Sequence, residues 1–181
     1  MAKGKLFVIS GASGVGKGTV LGIMMKKRDD LAFSVSATTR PRREGESDAD
    51  YRFLTKEEFL AEAEAGAFLE TTVYSGYHFG TAAAELDRVV EAGEIAVLPI
   101  DICGALTLKN RYRSGAMLVF VRRRKEAVIL DIVSRALEPK DKTCRILSLD
   151  DEYRNEELCD LTLTSQGGSK AAGELAAMLG L

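Results

Sequence analysis

The chain has 181 residues, of which 46% are hydrophobic and 29% charged, with a formal net charge of −2. Length and balance suit one globular domain with a substantial core, or a core carrying a small inserted lobe, and argue against a disordered chain. The near-neutral charge argues against a polyanion or membrane binder, so no nucleic-acid or membrane partner is expected and any anion site must be built from local basic clusters.

The N-terminal stretch "MAKGKLFVIS" holds basic residues and a short apolar run. It lacks the longer apolar core and cleavage site of a signal peptide, and "KLFVIS" reads as a buried first strand. The glycine-rich turn "SGASGVGKGTV" (10–20) follows, and the chain from Lys17 to Lys27 reads as a helix. "FSVSAT" (33–38) alternates as a strand does, and "TRPRREGESDAD" (39–50) is a polar, exposed loop. "TKEEFLAEAEAG" (55–66) is a helix with a Thr55/Glu58 capping box and a stop at Gly66. Residues 67–81 are β-like around a Ser-Gly turn, and 81–93 form a helix ending at glycine.

"EIAVLPI" (94–100) is a buried strand ending at Asp101, and "AMLVFV" (116–121) is another. Residues 124–157 are helical with an interruption at "EPKD", "LTLT" (161–164) is a last strand, and a C-terminal helix begins at about 169. Short apolar strands alternating with helices imply an α/β fold, a parallel sheet flanked by helices. No internal repeat occurs, and residues 33–80 are richer in β signal, as an inserted lobe would be. The cysteines, Cys103, Cys144 and Cys159, form no C-x-x-C pair, and His78 is the only histidine. Reduced thiols in a cytoplasmic protein are expected, without a zinc site or disulfide framework.

The turn carries the chemistry. Gly11, Ala12, Ser13, Gly14, Val15 and Gly16 can turn successive N–H groups inward around an anion, with the positive end of the next helix behind them. Lys17 then reaches the outer phosphates as a point charge, and Gly18 and Thr19 complete the loop. The spacing Gly11-x4-Gly16-Lys17 fits a phosphate-binding loop, but Gly18 stands where a hydroxyl usually holds Mg²⁺. A turn that binds nothing leaves the order strand, loop, lysine and helix without a reason. A dinucleotide-binding loop fails at Thr19. Without that hydroxyl, Mg²⁺ is expected to be held by nucleotide phosphates and water, with Thr19 as the alternative hydroxyl and no dedicated metal site of the protein's own. One element on, Arg40, Arg42 and Arg43 form a basic cluster in the exposed loop, suited to a second phosphate.

"SGASGVGKGTV", "SATTRPRREGE", "DYRF", "FLE", "SGYHFGT" and "IDICG" occur in the order and approximate spacing of guanylate kinase. The chain resembles that family well over about 5–105 and poorly beyond. The resemblance implies a P-loop three-layer fold over the whole chain: a core of about 1–32 and 82–181, a β-rich GMP-binding insert of about 33–81 and a short helical lid of about 134–145. It implies that Arg40, Arg43 and Tyr51 hold the GMP phosphate, that Phe79 stands in the same group, and that Ser36, Glu70, Thr81 and Asp101 read guanine. Guanine presents two donors beside an acceptor, which suits a carboxylate flanked by hydroxyls. Lys17, Arg40, Arg135 and Arg145 are the implied catalytic set, ATP and GMP the substrates, and a monomer or homodimer the active unit.

The chain departs from the family pattern at four places. Phe79 replaces a tyrosine, with His78 beside it. Pro99 replaces an acidic residue. "SRALEPKD" (134–141) replaces a glycine-containing lid, and Ser165 or Gln166 stands where an asparagine places adenine. The expected reaction is ATP + GMP giving ADP + GDP. The alternatives are a binding module that keeps GMP without turnover, and a related kinase acting on another phosphorylated acceptor.

Overall fold

The computed structural model describes residues 4–27, 31–74 and 76–164, with 173, 174 and 177 beyond them. Its centre is a five-stranded parallel sheet in the order β2 (Leu31–Phe33), β7 (Ile95–Pro99), β1 (Lys5–Ser10), β8 (Ala116–Arg122), β9 (Leu161–Thr164). The central strand β1 pairs Val8 with Leu98 on one side and with Leu118 on the other. Both faces are covered, which is why these strands read as continuous apolar runs.

Alternation along β1 divides the core in two. Leu6 and Val8 pack with Leu86 and Val89 of α3 (Ala83–Ala92) and with Ala105 and Leu108 of α4 (Ile102–Tyr112). Phe7 and Ile9 pack on the opposite face with Val20 and Met24 of α1 (Lys17–Lys27) and Val128 and Ile132 of α5 (Lys125–Ser134). Helix α4 has no counterpart among the sequence expectations. Asp101 caps it, accepting from the Gly104 N–H at 2.8 Å.

The strand expected over 33–38 is two strands. β2 pairs with β7 in the parallel sheet, whereas β3 (Ala37–Thr38) pairs with β6 (Tyr77–Ala82) in a second sheet of order β4-β3-β6-β5. One straight segment cannot serve both sheets, so the chain crosses between them at 34–36. β4 (Arg52–Phe53) runs parallel to β3, and β5 (Phe68–Tyr74) forms an antiparallel hairpin with β6. Helix α2 (Lys56–Glu64) covers this sheet. Its capping box joins Thr55 and Glu58 in both directions, and Phe59 inserts beneath, stacked on Phe68 at 4.7 Å between centroids.

The break in 124–157 falls at 135–138. Pro139 opens the next helix, α6 (Pro139–Leu147), where its missing N–H costs nothing, and α7 (Leu149–Arg154) follows. The basic run at 122–125 is drawn into ion pairs on the surface, Arg123 with Asp131 at 2.6 Å among them. The helix expected from about 169 lies largely outside the described residues, as do Ser165 and Gln166. No described helix is long and apolar enough to cross a membrane.

Phe59 is 1% exposed and is the buried anchor of α2. Phe59→Ala is expected to cost about 3–5 kcal/mol. Hydrogen exchange checks it: amides of β5 and β6 should accelerate more than those of β1.

Candidate active site

β1 ends at Ser10, and the chain turns sharply. Gly11 has φ +145°, and a Cβ there would lie 2.6 Å from the Val121 carbonyl oxygen, so only glycine lets the loop pass β8. Ala12 and Val15 turn their side chains into the core, at 0% and 1% exposed, and leave their backbone to the loop. Gly14, Gly16, Gly18 and Thr19 line a cavity of about 650 Å³ beside the parallel sheet. At Gly18 an added Cβ meets nothing within 4 Å, so the missing hydroxyl is not imposed by space.

Lys17 opens α1 and donates to the carbonyls of Gly11 and Ala12. Burial pulls its pKa down to about 8, partly opposed by the carboxylates of Glu152 and Asp101 and reinforced by the guanidinium of Arg145. Ser13 is gripped from α6 and α7. Its N–H donates to Glu152, and its hydroxyl accepts from Arg145 Nη1 at 2.6 Å. Glu152 is held in turn by the Ser148 hydroxyl at 2.9 Å.

The far wall of the same cavity is the second sheet with its arginine loop. Arg40, expected in an exposed loop, is buried at 8% exposed. Its guanidinium pairs with Glu46 at 2.8 Å and lies 5.4 Å and 5.8 Å from the ring centroids of Tyr51 and Phe53. Arg43 also lines the cavity. Its pKa is lowered, first by desolvation and then by the charge of Arg40, with a contribution from Arg145. Arg42 faces outward to Asp48. Tyr51 lines the cavity edge-on to Phe79, with centroids 6.0 Å apart.

Hairpin register decides which side chains look inward. Glu70 pairs with Thr81, Thr72 with Phe79, and Tyr74 with Tyr77, and all six line the cavity. The buried Thr81 hydroxyl donates to Glu70 Oε1 at 2.6 Å. Burial holds the Glu70 carboxyl above its ordinary pKa, and the Thr81 bond partly offsets this. His78 alternates to the other face, 5.4 Å from the Phe59 ring, and does not line the cavity. Ser36, Pro99 and Asp101 close the floor, and Arg135 stands at the rim.

Sequence reasoning missed Thr72, Tyr74, Asp141 and Glu152, which also line the cavity. The alternation Glu70, Thr72, Tyr74 would have found the first two. Glu152 sits seven residues after Arg145, two helical turns on, but the intervening break hides the pattern.

A cradle for one phosphate chain thus faces a carboxylate-hydroxyl pair across a cluster of cations. The guanylate kinase family model matches residues 3–179. The chain belongs to the guanylate kinase family. It is 43% identical over 120 residues to a guanylate kinase of Thermotoga maritima, covering 66% of this chain and 58% of that protein. The chain thus spans less than two thirds of that relative. It is 34% identical over 179 residues to a guanylate kinase of Symbiobacterium thermophilum, covering 98% of this chain and 85% of that protein. Its fold matches a crystal structure of guanylate kinase from Anaplasma phagocytophilum with a TM-score of 0.82 at 24% identity, over 98% of this chain and 85% of that one.

Two expectations follow. A Cβ on Gly104 would lie 2.9 Å from Glu70 Cδ and 2.7 Å from Ile100 Cγ1. Gly104→Ala should therefore displace the Glu70 carboxylate and weaken GMP binding about tenfold, or about 1.4 kcal/mol, in calorimetry. The Lys17 charge is present below about pH 8 and is lost as pH rises through it. ATP affinity of the free protein should therefore fall above about pH 8, and a flat profile from pH 7 to 10 would contradict this.

Proposed function

We propose that the protein transfers the γ-phosphoryl group of ATP to GMP, giving ADP and GDP. The observation that carries this is one cavity lined by both the Lys17 loop and the Glu70–Thr81 pair, with Arg40, Arg43 and Arg145 also on its walls. In this reading residues 11–19 hold the triphosphate. Arg40, Arg43 and the Tyr51 hydroxyl hold the acceptor phosphate. Glu70 accepts from the two donors of guanine's Watson–Crick edge, and Ser36, Thr81 and Asp101 complete the ring of polar groups. Adenine lacks those paired donors and would leave a buried carboxylate unsatisfied, which penalises it strongly.

The acceptor phosphate is already an anionic nucleophile, so no general base is required, and catalysis reduces to alignment and charge stabilisation. Lys17, Arg40, Arg135 and Arg145 supply that charge without rearranging. Among the described residues no cluster of three or more His, Cys, Asp or Glu side chains could hold a metal. That donor set fits Mg²⁺ arriving on the nucleotide's phosphates with its water shell, with Asp101 and Glu152, the carboxylates whose charge Lys17 feels, beside it. Bound there, Mg²⁺ would neutralise charge on the transferring phosphates. Phe79 offers no hydroxyl, so acceptor-phosphate binding rests on the arginines and Tyr51. A binding-only role fits less well, because Arg145 reaches the phosphate loop despite the altered lid sequence. The free thiols Cys103, Cys144 and Cys159 support a cytoplasmic setting.

The test is ADP release with ATP, Mg²⁺ and each of GMP, AMP, CMP and UMP, where turnover with GMP alone is expected. Glu70→Ala should raise KM for GMP about 100-fold, the loss of two hydrogen bonds to a charged group. Lys17→Met should lower kcat by about 1,000-fold while GMP still binds. Absence of turnover with any acceptor would overturn the reading.

A further inference from the structure

Arg145 lies where three parts of the molecule meet. It projects from α6, its Nη1 donates to Ser13 of the phosphate loop, and its guanidinium carbon lies 5.5 Å from the ring centroid of Tyr74 at the end of β5. Its Nε is buried and has no hydrogen-bond partner among the described residues. Two further cations, Lys17 and Arg43, are close enough that Arg145 adds to the lowering of their pKa values, after the larger effect of desolvation. Asp141 and Glu152 also line this cavity, and the place of so long a side chain depends on what restrains it.

A carboxylate could restrain it, but would also neutralise it and repel an incoming phosphate. An aromatic face restrains a cation through its quadrupole and carries no net charge. Tyr74 is placed for this by register. It shares the cavity-lining face with Glu70 and Thr72, two and one alternations away, and it is the outermost residue of β5. The strand that carries the base-reading carboxylate therefore also carries the ring beneath the arginine.

We propose that Tyr74 is a positioning residue that holds the Arg145 guanidinium over the phosphate cavity without neutralising it, and so ties the place of this arginine to the acceptor-binding hairpin. This rests on the reading of the cavity as a phosphoryl-transfer site between ATP and GMP. Tyr74 touches Arg145 and not the reacting atoms, so its removal acts on kcat. GMP affinity, set by Glu70, Arg40 and Arg43, stays in place.

The experiment compares Tyr74→Leu and Tyr74→Phe in the full chain, with and without the charge-removing Arg145→Gln. Tyr74→Leu should lower kcat about tenfold with KM for GMP changed less than about twofold. Tyr74→Phe keeps the ring face and should recover most of that loss. In the Arg145→Gln background, Tyr74→Leu should cost clearly less than tenfold, because its cationic partner is gone. A wild-type kcat for Tyr74→Leu overturns the proposal, as does an equal cost in both backgrounds. A shared rise in KM for GMP in the Leu and Phe variants also overturns it, since the phenol would then be an acceptor contact. Failure of the wild-type protein to turn over GMP is a separate result, and removes the underlying reading together with the proposal.

Discussion

Holding four cations, Lys17, Arg40, Arg43 and Arg145, beside one cavity is the constraint on which the site depends. All line one cavity, where lowered dielectric magnifies their charge. Each is restrained differently. Lys17 is tied to the carbonyls of its own loop, and Arg40 to Glu46 and two aromatic faces. Arg145 is tied to Ser13 and the Tyr74 ring. The result is a set of cations fixed in place before any anion arrives, as electrostatic preorganisation requires, with carboxylates such as Asp101 and Glu152 on the same walls. The cost appears in the depressed pKa values of Lys17 and Arg43, which come first from desolvation and only then from neighbouring cations.

The two sheets divide the work. The parallel sheet, packed on both faces, sets the phosphate loop at the end of β1 and leaves it no freedom at Gly11. The smaller sheet faces it with a hairpin whose inward side chains grade from polar at Glu70 and Thr81 to aromatic at Tyr74 and Tyr77. Helices α6 and α7 hold the loop from a third side through Arg145, Ser148 and Glu152. In the proposed reading, specificity and charge stabilisation thus come from different elements, and Arg145 is where they touch.

Much of this was legible in the sequence. The strands β1, β7, β8 and β9 read directly because their apolar runs are bounded by glycines, acids or basic residues. The glycine turn declared its chemistry by spacing, and Thr55/Glu58 declared the start of α2. What stayed hidden depends on distance along the chain. The split of 33–38 is imposed by two different pairing partners, and no local propensity records it. Helix α4 lacks a strong apolar stripe, and its Asp101 cap was read only as a ligand. The burial of Arg40 comes from partners six and eleven residues on, closing a loop that composition alone makes look solvated. The grip of Glu152 on Ser13 spans 139 positions.

The place of β1 at the centre of its sheet also bears on how the molecule is made. Strand β1 pairs Leu6 with Ala96 and with Ala116, so both of its neighbours are made long after it. At about 5–20 residues per second, β1 waits on the order of 10 s for its first partner. Through that interval its run of Leu6, Phe7, Val8 and Ile9 is an unpaired, aggregation-prone edge, shielded only by Lys5 and the glycine turn that bracket it. The turn proposed to receive a phosphate chain is thus also what ends that apolar strand at Ser10.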